Sequence, residues 1–152
     1  MSEHEAIDDP VLGRLRWDAV RGEWVFAFTV PSGKSVRVGI TPEDSRLPLE
    51  HQGLTEIRDC VSWIVINEPS IRAFIADHMF EGWKSGWYDE EIDEVITKEG
   101  FQEAISMSGV SILEDRVATL YYNDAGLFGG HAIVLSVRGR GEHFIDEPQL
   151  WG

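Results

Sequence analysis

The chain sets 13 Lys and Arg against 27 Asp and Glu in 152 residues, a formal net charge of -14, with 43% hydrophobic residues and six Trp. This length fits one domain with one sizeable core, and the apolar share excludes a disordered chain despite the charge. The acid excess excludes a nucleic-acid binder, which needs clustered cations to release counterions, and makes a basic protein the better electrostatic partner.

Residues 1–8 are polar and acidic, with Glu3, Glu5 and Asp8, and lack the basic and apolar regions of a signal peptide. They are expected to form a flexible acidic N-terminus ahead of a single domain over residues 9–152. Segments 11–17, 23–30 and 35–41 read as three strands. In the second, Trp24, Phe26, Phe28 and Val30 alternate with Val25, Ala27 and Thr29, the period of two that a half-buried strand requires. Val20-Arg21-Gly22 and Pro31-Ser32-Gly33-Lys34 supply the turns of an antiparallel meander. After a loop at 42–48, Leu54, Ile57, Val61, Ile64 and Val65 recur at helical spacing. Asn67-Glu68-Pro69 reads as a break, with Asn67 capping a second helix whose stripe is Ile71, Phe74, Ile75, Met79 and Trp83. A third, shorter helix is expected from Thr97 to Ser106, with Phe101 and Ile105 facing inward.

The C-terminal third returns to strands. Segments 110–114 and 116–123 form a hairpin around Glu114-Asp115, and 131–137 follows the turn Asp124-Ala125-Gly126. A last extended piece, 143–145, follows Gly139-Arg140-Gly141. The order strands, helices, strands, without βαβ alternation, predicts an α+β fold: an antiparallel sheet with two to three helices packed on one face. The apolar run 61–66 is too short to cross a bilayer. Cys60 is the only cysteine, so neither an intrachain disulfide nor a multi-cysteine zinc site can form, and a reducing cytoplasm is the expected home.

The opening Asp9-Pro10-Val11-Leu12-Gly13-Arg14-Leu15-Arg16-Trp17-Asp18, the later Trp24, and the closing Leu127-Phe128-Gly129-Gly130-His131-Ala132-Ile133-Val134 resemble an uncharacterised bacterial family, a domain of unknown function. Its members open with an Asp-Pro-x-x-Gly-x-Leu-x-Trp strand and close with an aromatic-x-Gly-His strand and a final Gly. Gly129 stands where an aromatic is common, a local departure. The resemblance supports the α+β reading and implies no activity.

Motifs that carry chemistry are sparse. Ser32-Gly33-Lys34-Ser35 resembles the end of a phosphate-binding loop, but Phe28 holds the position of its first Gly, and a strand follows where a helix is needed; it reads as a hairpin turn. The run Asp89, Glu90, Glu91, Asp93 and Glu94 fails the calcium-loop template, with Glu94 and Gly100 at its sixth and twelfth positions. The run is either a solvated acidic segment or, beside Trp83, Trp87 and Tyr88, a surface for a partner rich in Lys and Arg. Trp83 also continues a core stripe. His131 follows two glycines that let a ligand or another backbone approach, so it is a weak candidate acid or base, with His78, His143, Asp124 and Asp146 as conceivable neighbours. The alternative is a structural histidine bonded to backbone. No His pair has metal-ligand spacing, Cys60 reads as a small core residue, and Ser106, Ser108 and Ser111 lie in no nucleophile elbow.

Two functional expectations follow. The first is a non-enzymatic acidic binding protein, in concrete form an immunity-type inhibitor of a cationic toxin, with its surface at Trp83, Trp87, Tyr88 and residues 89–94. The second is a small-ligand site or cryptic hydrolase centred on His131. No cofactor or metal is expected, and the oligomeric state is left open.

Overall fold

A computed structural model describes residues 5–49, 52–91, 95–113, 117–138 and 144–152. Strand β1 (Ile7–Asp9) turns straight back into β2 (Gly13–Asp18), its antiparallel neighbour. The Asp9 carboxylate builds the turn: Oδ2 accepts the N–H groups of Val11 at 2.9 Å and Leu12 at 2.8 Å. Gly13 follows with φ 81°, a left-handed value that a side chain opposes. Residues 11–12, expected in a strand, are therefore the turn itself. Ile7 and Asp8, expected in the flexible N-terminus, lie in β1. The Arg58 guanidinium ties the same carboxylate to the first helix.

Strands β3 (Glu23–Thr29) and β4 (Ser35–Ile40) complete the meander. The chain then leaves the sheet through helices α1 (Leu54–Gly86) and α2 (Lys98–Ala104) and returns as β5 (Ser106–Ile112). Strand β5 pairs with β4 in parallel, Val38 opposite Val110. This corrects the wholly antiparallel expectation: parallel neighbours cannot be joined by a tight hairpin, and here two helices make the crossover. The other described pairs are antiparallel: β6 (Ala118–Asn123), β7 (Ala132–Arg138) and β8 (Phe144–Ile145) follow in chain order, and β9 (Gln149–Trp151) pairs with β7 beside β8. Glu114, Asp115, Gly139, Arg140, Gly141 and His143 lie outside the described residues. Ser106, expected to end a helix, opens β5.

Helix α1 runs for 33 residues through the segment expected to break it. Its buried positions are Leu54, Ile57, Val61, Ile64, Glu68, Ile71 and Ile75, then Ala76, Phe80 and Trp83. The steps through Ile75 alternate three and four without a change of phase, so one face stays against the core from end to end. Pro69 removes one N–H and costs roughly 3 kcal/mol in a helix interior, while the stripe on both sides of it is buried. Packing outweighs the local penalty. Asn67 does not cap a helix; its Nδ2 donates to the Trp63 carbonyl at 2.8 Å. The expected third helix, here α2, starts at the expected place, and Thr97 caps it, with Oγ1 accepting the Gly100 N–H at 3.0 Å.

The alternate residues Trp24, Phe26, Val38, Val110, Leu120 and Leu135 join the α1 stripe and Phe101 of α2 in one buried cluster. The sheet therefore fixes α1, and the C-terminal end of α1 fixes the surface described next.

Candidate functional site

Helix α1 stops where the N–H groups of Trp87 and Tyr88 both donate to the Trp83 carbonyl, at 2.8 and 2.9 Å. Trp83 lies on the buried stripe and is 2% exposed. Its Nε1–H donates to the Leu127 carbonyl at 3.0 Å, and its ring packs against Phe80, Phe101 and Tyr88. Trp83 is therefore a core residue and cannot contact a partner, which corrects its place in the expected surface. Trp87 caps the helix instead and is 43% exposed.

The loop from Asp124 to His131 supports Trp87. The buried Asp124 carboxylate organises it, accepting the N–H groups of Gly126 at 2.9 Å, Phe128 at 2.9 Å and Gly130 at 3.0 Å. The Trp87 ring stands edge-on to Phe128, centroids 5.5 Å apart, and to His131, 5.6 Å apart. Beneath it Gly129 has φ 69°, and a Cβ added there would lie 3.8 Å from Trp87 Cζ3. The two glycines let the loop curl under the ring.

His131 belongs to this support. Its Nδ1–H donates to the Phe128 carbonyl, Trp87 covers one side, and Gly152 presses so closely that a Cβ there would strike the imidazole. Of the neighbours that could have made it an acid or base, the described ones are engaged elsewhere, and His143 lies outside the described residues. Asp124 holds its three amides, Asp146 pairs with Arg138 at 2.6 Å, and His78 is exposed on α1 and bonded to the Phe74 carbonyl at 2.9 Å.

Beyond the helix end, Gly86, Trp87, Tyr88, Asp89 and Glu90 line an open concavity of about 550 Å³. Asp89 Oδ1 accepts the Glu91 N–H at 2.9 Å, which folds the acidic run into a turn. Tyr88 is half-buried, edge-on to Trp83, whereas Asp89, Glu90 and Glu91 are exposed. Asp93 and Glu94 lie outside the described residues. The arrangement offers a held aromatic face rimmed by carboxylates, a geometry suited to binding a cation.

Burial, and secondarily the Asp59 charge, push the Cys60 thiol up to about 11, so it is protonated at neutral pH. Among the described residues no group of three or more His, Cys, Asp and Glu is placed to hold a metal ion. Ser32-Gly33-Lys34-Ser35 turns the β3–β4 hairpin, with Gly33 at φ 92°. No helix of the described residues is long and apolar enough to cross a membrane.

One polar feature escaped the sequence reading. Glu68, assigned to a helix break, is 2% exposed within the core stripe and accepts from Arg72 Nε at 3.0 Å. Nearby, the buried Tyr122 hydroxyl has no hydrogen-bond partner among the described residues. Desolvation, then the Glu68 charge, raise the phenol's pKa and hold it protonated. The signal for Glu68 was its phase, seven residues after Val61 and three before Ile71.

A family model described as "Uncharacterized protein conserved in bacteria (DUF2262)" matches residues 9–146, and the chain belongs to that family. No curated protein and no solved structure matches the chain.

Proposed function

We propose that this is a non-enzymatic binding protein whose acidic face, formed by Trp87, Tyr88, Asp89, Glu90 and Glu91, takes a cationic segment of a protein partner. The observation that carries this reading is Trp87, a 43% exposed indole propped by Phe128, His131 and Gly129 at the edge of an open concavity. A ring held in place from below loses little entropy when a ligand packs on it, and Trp is a favoured anchor of protein interfaces. A Lys or Arg over its face gains about 0.5–1 kcal/mol when exposed, and more once water is excluded. The carboxylates beside it favour the same ligand, and the net charge of -14 speeds the approach of a basic partner. A toxin whose active site is basic because it handles nucleic acid is one such partner, which this chain would block by covering that site.

The reading is tested by stopped-flow association with an Arg- and Lys-rich peptide at low and high salt, alongside an acidic peptide of equal length. The expected result is association with the basic peptide alone, an on-rate that falls with salt, and at least about a tenfold loss of affinity in Trp87→Ala and in Asp89→Asn/Glu90→Gln. Equal binding of both peptides, or unchanged affinity in both variants, contradicts it.

A further inference from the structure

A second concavity, distant in sequence from Trp87, lies over the Glu68–Arg72 pair, bordered by the β3–β4 turn and the junction of α2 with β5. Its volume is about 70 Å³, and Lys34, Glu68, Arg72 and Glu103 line it above an apolar floor that includes Ile105 and Met107. We infer that this cavity is a binding site for a small zwitterion, an α-amino acid with a short side chain.

Glu68 occupies a position that the phase of α1 assigns to the core, where an apolar residue would pack at less cost. A buried ion pair is a weak stabiliser compared with well-packed apolar residues, so stability alone is a poor account of it. The pair is also incomplete as a closed unit. Arg72 engages Glu68 through Nε, at 2.9 Å to Oε1 and 3.0 Å to Oε2, and among the described residues no acceptor is bonded to the Nη edge of its guanidinium. That edge is a planar fork suited to a carboxylate.

Charge selects among small ligands. The lining sets two bases, Lys34 and Arg72, against two acids, Glu68 and Glu103, a formally neutral site in a molecule of net charge -14. A bare anion meets the repulsion of the whole molecule, and a bare cation leaves the guanidinium edge unused. A zwitterion fits both halves, its carboxylate on Arg72 and Lys34 and its ammonium on the glutamates. The volume corresponds to roughly five or six heavy atoms, the size of glycine or alanine, and the apolar floor accepts a methyl group.

Calorimetric titration with glycine and alanine, and with acetate and methylammonium as the separated charges, tests the assignment. Glycine or alanine is expected to bind, with each separated ion at least about tenfold weaker. Glu103 and Lys34 are exposed, so Glu103→Gln and Lys34→Ala should fold normally and each weaken binding by about tenfold; Arg72→Lys should abolish it. If Arg72→Lys fails to fold, the two rim variants carry the test. No heat from either amino acid up to about 10 mM, acetate binding as well as alanine, or rim variants that bind like the parent would overturn the proposal.

Discussion

Trp83 and Trp87 stand four residues apart at the end of one helix and have opposite fates. Trp83 completes the stripe that began at Leu54 and has its indole N–H bonded to Leu127. Trp87 sits where the helix has stopped, its ring resting on a loop that Asp124 folds. The same residue type thus serves the core in one place and offers a surface in the other. The difference lies in what surrounds each ring and owes nothing to sequence spacing, since both lie at helical intervals. It follows that changes to the two rings should separate stability from binding.

The largest effect is expected at Trp83. Trp83→Ala should lower the unfolding free energy by about 3–5 kcal/mol through the cavity it leaves, read by urea denaturation, whereas Trp87→Ala should shift it by less than about 1 kcal/mol. Equal losses would erase the distinction. Next comes the loop beneath Trp87. Asp124→Ala leaves three loop amides without their acceptor and should cost about 2–3 kcal/mol, with the Trp87 indole resonance moving although that residue is unaltered.

The N-terminal turn gives a pH-dependent counterpart. The Arg58 side-chain bonds, then the Leu12 and Val11 amides, hold Asp9 below its ordinary 3.8 despite partial desolvation. A carboxyl depressed in the folded state binds its proton more readily when unfolded, so its contribution is present above pH 3.8 and disappears as pH falls through the lower folded value. The urea midpoint should drop over that range, and less steeply in Asp9→Asn. The smallest effect concerns Cys60. With its thiol at about 11, about one molecule in a thousand is thiolate at pH 8, and a disulfide reagent should react far more slowly with the folded protein than with the denatured one.

Much of the fold was legible because it rests on short-range pattern: the alternation from Trp24 to Val30, the turns at Gly22 and Gly33, and the helix start near Thr97 all appear where the residues imply them. Pro69 misled because a local rule, proline as breaker, competed with a longer-range one. The unbroken phase from Val61 through Glu68 to Ile71 wins because the stripe is buried on both sides. The parallel pairing of β4 with β5 depends on where a long crossover returns, which no local signal encodes. In the site, the exposed Trp87 and its acidic neighbours were legible as composition, and the support beneath them was not. His131 looked like chemistry because glycines and an imidazole suggest ligand approach; in three dimensions those glycines take the left-handed φ values, 69° and 87°, that curl the loop beneath Trp87.

The most direct test of the proposed surface is a nuclear magnetic resonance titration of the indole N–H signals with the Arg- and Lys-rich peptide. The account predicts that the Trp87 signal moves progressively with peptide while Trp83 stays in place. A bound peptide that leaves Trp87 unmoved, or shifts both signals alike, would contradict it.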